Sequence, residues 1–150
     1  MKIYSMGTSM RTIEEFMRIL EAYNIEVAAD VRSFPQSRFP HFQQVQLAHL
    51  LREGGIDYVY LGKELGGYRR GGYESYMSTP SYVEGLERLQ QIAKRRTTVF
   101  FCAERFPWRC HRRFIGASLS EKGWEVIHII EEGKIWHPKV PFQGPRVQKG

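Results

Sequence analysis

Thr97-Thr98-Val99-Phe100-Phe101-Cys102-Ala103, running straight into Glu104-Arg105-Phe106-Pro107-Trp108-Arg109-Cys110-His111-Arg112-Arg113, is the stretch that decides the fold. Its first half is an almost unbroken run of β-branched and aromatic residues without polar alternation. Such a run describes a strand covered on both faces, as in the middle of a parallel sheet. A helix is expected from Pro107 or Trp108 to Lys122, with Gly123 as its stop. The two halves form one strand–loop–helix unit, and the rest of the chain repeats that unit.

Upstream, residues 3–6 form a short apolar strand halted by Gly7, and Thr12 with Glu15 reads as a capping box. The helix it starts carries Ile13, Phe16, Met17, Leu20 and Tyr23 on one stripe. Residues 27–31 are a second, compact strand, and the loop 32–42 contains Pro35 and Pro40. A helix from about Gln43 is expected to bury Val45, Leu47, Leu50 and Leu51 before Gly54-Gly55 ends it. Residues 57–61 are strand three, and a glycine-rich loop without structure of its own covers residues 62–79. Pro80 opens a helix expected to bury Tyr82, Val83, Leu86, Leu89 and Ile92. Residues 125–130 give strand five, and a tight turn leads into a short antiparallel edge strand at 134–137. The expectation is an α/β three-layer sandwich: a five-stranded, mostly parallel sheet in Rossmann-like order 3-2-1-4-5, with a short antiparallel edge strand. Residues 1–137 are expected to form one domain and 138–150 a basic tail containing Pro and Gly.

Hydrophobic content of 42% and charged content of 25% suit a globular protein. No window approaches the roughly 18 apolar residues of a membrane span, and the N-terminus has no signal-peptide pattern. Two cysteines are too few for a disulfide framework, which points to a reducing compartment and a cytoplasmic protein. The net charge of +6 suits a polyanionic partner, either a phosphate-bearing small molecule or nucleic acid. Neither a cofactor nor a membrane partner is called for.

In open parallel sheets, function gathers beyond the carboxyl ends of the strands. The loops to inspect therefore follow Met6, Val31, Leu61 and Phe101. In the last of these, Cys102 falls at the strand tip, and Cys110 and His111 in the first turn of the next helix. Unpaired amides, the helix dipole and neighbouring arginines all lower a thiol's pKa and attract anions. Cys102 or Cys110 is thus a candidate nucleophile, with Asp30, Glu104 or His111 managing protons. Arg32, Arg38, Arg69, Arg109 and Arg112 are candidate anion ligands, with Tyr73 of the glycine-rich loop and the turn Gly7-Thr8 beside them. The plainer reading makes Asp30 and Glu104 partners of arginines that hold loops together. Phe34, Phe39 and Phe42 read more readily as a loop's own small core than as a stacking platform. Cys102, Cys110 and His111 are also possible zinc ligands, but adjacent helix residues diverge by about 100° and the arginines would repel a cation. No metal is expected.

The segments Asp30-Val31-Arg32-Ser33-Phe34-Pro35, Leu65-Gly66-Gly67, Tyr73 with Tyr76-Met77, and Cys102-x-Glu104-x-x-Pro107-x-x-Cys110-His111-Arg112 resemble the family known as domain of unknown function 488. The likeness runs from Ile3 to about Ile130. It implies a small α/β domain with one shared site drawn from these segments, and implies no reaction. A cysteine between a strand and a helix is also the arrangement of rhodaneses and cysteine phosphatases. Here, though, Trp108 stands where the phosphatase loop needs its arginine, and Pro107 removes a cradle amide. The sequence supports three functions in descending order: an enzyme on a phosphate-bearing substrate, a nucleic-acid-binding module, and a metal-dependent site.

Overall fold

The computed structural model describes residues 1–138. The expected tail lies, from residue 139 onward, outside the described residues. The chain order is β1 (Lys2–Gly7), α1 (Ile13–Ala22), β2 (Val27–Asp30), α2 (Gln44–Glu53), β3 (Asp57–Tyr60), α3 (Gly62–Leu65), α4 (Tyr73–Tyr76), α5 (Pro80–Arg95), β4 (Thr98–Cys102), α6 (Arg112–Glu121), β5 (Glu125–Glu131) and β6 (Lys134–Trp136). The sheet runs β3-β2-β4-β1-β5-β6, parallel except for β6, which returns antiparallel to β5. The α/β sandwich with an antiparallel edge is therefore present, but its strand order is not 3-2-1-4-5. β4 stands between β2 and β1. Its five residues are all buried, whereas β1 starts at an exposed Lys2 and holds a half-buried Tyr4. Both strands are nonetheless flanked on each side, β4 by β2 and β1, and β1 by β4 and β5.

Alternation along the strands divides the interior into two layers. Ala28, Val99, Phe101 and Ile129 face α1 and α2, packing on Phe16, Leu20, Leu47 and Leu51. Ala29, Phe100, Cys102 and Val126 face the opposite way, onto Leu65, Tyr73, Leu86, Leu89, Ile115 and Leu119 of the later helices. Cys102 thus belongs to the second layer. Thr12 caps α1 by accepting from the Glu15 amide at 3.0 Å. The Glu15 carboxylate turns instead to Arg11, at 3.3 Å.

Three local expectations are corrected. Val45 and Val83 are 83% and 59% exposed, because each lies off the buried stripe of its helix. Residues 62–79 are not a bare loop: α3 and α4 lie within them, tied by Tyr73 Oη donating to Leu65 O at 2.8 Å and Tyr76 Oη to Glu64 O at 2.6 Å. The helix after β4 starts later than expected. Pro107–Arg109 form only a 3₁₀ turn, and Cys110 is extended at φ −143°, ψ 167°, so that α6 begins at Arg112.

Candidate functional site

Cys110 and His111 therefore precede α6 rather than sit within its first turn, and this break brings the two cysteines together. Cys102 ends β4, Cys110 loops back over it, and their Sγ atoms lie 2.9 Å apart. Arg112 completes the group. Its guanidinium, 0% exposed, donates from Nε to Cys102 Sγ at 3.0 Å, while its backbone amide donates to Cys110 Sγ at 3.3 Å. Nη1 donates to Ser5 Oγ at 3.0 Å, and Nη2 donates to Glu104 O at 2.5 Å. Ser5 Oγ, which accepts from Arg112, also hydrogen-bonds His128 Nδ1, 2.5 Å away. A buried polar chain thus runs from the cysteines through Arg112 and Ser5 to His128.

His111 lies on the other side of Cys110, with Nδ1 3.7 Å from its sulfur. A carbonyl can only accept, so the 2.9 Å contact with Val31 O puts the proton on Nε2 and turns Nδ1 toward the thiol. The Tyr73 ring lies 5.4 Å from the imidazole. Gly67 closes the other side: a Cβ there would come within 2.5 Å of His111 Nδ1. Only glycine allows that approach.

The two thiols are driven apart in acidity. Burial raises the Cys102 pKa well above its ordinary value, helped by the hydrogen bond to Cys110 and opposed by Arg112. Cys110 is lowered from 9.0 to about 3, first by the hydrogen bond from Cys102; burial opposes this, and His111 and Arg112 add to it. These opposite shifts favour a thiolate at Cys110 with a thiol at Cys102 beside it. Burial lowers the Arg112 pKa, but the two sulfurs outweigh it and hold the guanidinium charged. Burial, then Arg112, lowers His128 to about 3, so that it stays neutral.

The remaining candidates are placed differently. Arg32 grips Asp30 with two nitrogens, at 2.9 and 2.8 Å, and donates the third to Phe42 O at 2.7 Å. Tyr58 Oη donates to the same carboxylate at 2.6 Å. Both Asp30 and Arg32 are buried, as parts of a loop fastener. Arg69 caps the end of α3, donating to Gly66, Gly62 and Lys63 carbonyls, and lies 3.8 Å over the Tyr76 ring. Glu104 accepts from the Phe106 amide at 3.0 Å. Thr8 and Ser9 amides bond to Cys102 and Ala103 carbonyls, and Gly7 packs on Glu104 backbone. The turn after β1 is thus a seam to β4 rather than an anion cradle. Arg38 is exposed, beside Met10 and the Phe39 ring. Arg109 is also exposed, with only the Phe106 ring beneath it. The arginines expected to converge on one anion do not: Arg32 and Arg69 brace loops, Arg112 serves the sulfurs, and Arg109 faces solvent.

Sequence reasoning missed Ser5, His128 and Arg11. Arg11, 1% exposed, ties the ends of β1 and β5 together by donating to Gly7 O at 2.8 Å and Ile130 O at 2.6 Å. The available signal was a polar residue interrupting an apolar strand, as Ser5 does between Ile3 and Met6 and His128 does in Val126–Ile130. Phe34 was read as loop core, but only Phe42 is buried there. Phe34 is 67% exposed and meets the 79% exposed Tyr68 ring at 5.6 Å.

Cys102, Cys110 and His111 bring potential ligand atoms within 4.8 Å of one another. The guanidinium bonded to Cys102 Sγ sets a fixed positive charge against that group, which disfavours a metal cation.

Two close cysteines braced by a buried arginine at the carboxyl edge of a parallel sheet give this small α/β domain a candidate site centred on cysteine. The chain matches the family described as "Domain of unknown function DUF488" over residues 12–119, and it belongs to that family. No curated protein and no solved structure matches it. No helix among the described residues is long and apolar enough to cross a membrane.

Proposed function

We propose that the protein is a cysteine-dependent enzyme in which Cys110 is the nucleophile, His111 its proton partner, and the substrate a phosphate-bearing nucleotide or nucleic-acid end. One observation carries the reading. Arg112 is wholly buried, yet among the described residues no carboxylate pairs with it; its only candidate counter-charge is a cysteine sulfur. Burying a guanidinium without an anion is strongly unfavourable, which supports a thiolate in this cysteine pair. A thiolate is the reactive form of cysteine.

The substrate class rests on the rim. Arg109 directly precedes Cys110, and Arg70 lies three residues after Gly67, which packs on His111; both arginines are exposed. The paired, exposed rings of Phe34 and Tyr68 offer a stacking surface, and Tyr68 stands two residues before Arg70. This support for anion binding comes from surface guanidinium groups and the net charge of +6, not from the buried arginines. Two unbridged cysteines suit a reducing compartment, and we place the activity in the cytoplasm.

Alkylation with iodoacetamide tests the proposal. Cys110 should label in the folded protein at a rate nearly independent of pH between about 5 and 8, where an ordinary thiol gains roughly tenfold per unit. Cys102 should stay unlabelled, and inorganic phosphate or a nucleoside monophosphate should protect Cys110. If both cysteines label only on unfolding, there is no nucleophile. If phosphate and nucleotides leave the rate unchanged, the assigned substrate class is wrong.

A further inference from the structure

We infer that Cys102 and Cys110 are the two halves of a dithiol–disulfide couple that reduces a hydroperoxide, with Cys110 oxidised first and Cys102 resolving it. The inference uses only the cysteine geometry of the proposed site and requires no phosphate-bearing substrate.

The two sulfurs stand 2.9 Å apart, on the end of a central strand and on the loop that folds back over it. Cys110 is half-buried and open to a small oxidant, whereas Cys102 is 4% exposed and shielded from one. The order of events follows from that difference in access. The Cys110 thiolate attacks the hydroxyl oxygen of the peroxide, the O–O bond breaks, and an alkoxide leaves with the bonding pair and takes a proton from water. Cys110 is now a sulfenic acid. Cys102 then loses its proton and attacks the Cys110 sulfur. The S–S bond forms as the S–O bond breaks, and hydroxide leaves as water. Both electrons reaching the peroxide come from the two sulfurs, and the products are one alcohol, one water and one disulfide.

Arg112 contributes to both steps. Its Nε hydrogen bond lies against Cys102 Sγ and stabilises the thiolate that must form there during resolution. After oxidation neither sulfur carries charge, and the same guanidinium remains buried without its counter-charge. The reduced state is therefore favoured, and the disulfide is one that cellular thiols readily reopen, as expected where the dithiol form is specifically stabilised. While it persists, Cys110 is unavailable as a nucleophile.

Fully reduced protein is treated with one equivalent of hydrogen peroxide at neutral pH and read by intact and peptide mass spectrometry. The wild type should lose two hydrogens and yield a Cys102–Cys110 linked peptide, reversed by glutathione. Cys102→Ser should stop at a Cys110 sulfenic acid that dimedone captures, and Cys110→Ser should leave Cys102 reduced. Cys102→Ala repeats the trap without a hydroxyl, and circular dichroism confirms that each variant is folded. Two free thiols in the treated wild type, or equal oxidation of Cys102 in folded Cys110→Ser, overturns the couple. A disulfide that forms although phosphate gives Cys110 no protection upholds the couple and removes only the substrate class. Phosphate protection together with peroxide-inert thiols does the reverse.

Discussion

A thiolate installed by the fold must appear in the stability of the protein as a function of pH. Cys110 moves from 9.0 in the open chain to about 3 in the folded one. Between those values the unfolded chain holds a proton that the folded chain lacks, so unfolding takes one up. The stabilisation is fully present above the unfolded value and drains away as pH falls toward the folded one. Its slope is about 1.4 kcal/mol per pH unit. Cys102 moves the opposite way: it is protonated in both states below 9.0 and is neutral to the slope there. His128, lowered from 6.5 to about 3, adds a second proton only below 6.5, again favouring the fold as pH rises. Between about pH 7 and pH 8.5 the pair should therefore contribute close to 2 kcal/mol of rising stability, a sizeable part of the roughly 5–15 kcal/mol of a typical domain. Urea unfolding under reducing conditions measures it, with Cys110→Ser as the comparison. The wild-type slope should exceed that of the variant by nearly one proton. Parallel curves would mean that Cys110 is a thiol in the fold, and the argument from the unpaired Arg112 would fail with it.

Asp30→Asn removes one side of a buried ion pair and should destabilise the protein by about 3–5 kcal/mol in denaturant titration; a loss under about 1 kcal/mol would show that Arg32 is held well enough by the Phe42 carbonyl. Gly67→Ala puts a methyl group 2.5 Å from His111 Nδ1, which should cost about 1–3 kcal/mol by overpacking and slow Cys110 alkylation by turning the imidazole away. An unchanged rate would separate His111 from the chemistry. Phe34→Ala and Tyr68→Ala touch only exposed rings, so stability should stay within about 0.5 kcal/mol. If the rings stack a base, each substitution should weaken nucleotide binding by roughly 1–3 kcal/mol, and titration calorimetry would show the loss.

The layered α/β fold was legible because burial leaves a periodic mark: the continuous run at residues 98–102 and the stripe of Phe16, Ile19 and Leu20 say which faces are covered. What burial does not mark is adjacency. Both 3-2-1-4-5 and the observed order flank β1 and β4 with a strand on each side, so the apolar pattern of the two strands does not choose between them. The cysteines, His111 and Arg112 could be named from the strand–loop–helix pattern. Their geometry could not, because it depends on one extended residue, Cys110, that delays the helix. The role of each arginine was equally hidden. Guanidinium groups that brace carbonyls and those that meet ligands are alike in sequence, and the partners of Arg32 and Arg69 are set by tertiary contacts.

The strand order also has a chemical consequence. In the order 3-2-1-4-5, β5 would neighbour β4, and His128 would stand beside the strand that carries Cys102. In the observed sheet β5 pairs with β1, in a register that sets Ser5 against His128. Ser5 and His128 thereby meet under Arg112, and the guanidinium gains the acceptor that its Nη1 needs. His128 also lines a cavity of about 620 Å³ with Trp124, Trp136 and Phe114. Charge at the cysteines is thus linked, by three consecutive buried hydrogen bonds, to a group on the wall of a separate opening. His128→Phe tests the link. The ring is replaced by one of similar size, Ser5 loses its imidazole partner, and the Arg112 guanidinium should hold the Cys102 sulfur, and through it Cys110, less firmly. The expected readout is an alkylation profile that regains pH dependence at its acid end. A profile identical to the wild type would confine the cysteine chemistry to Arg112 and His111.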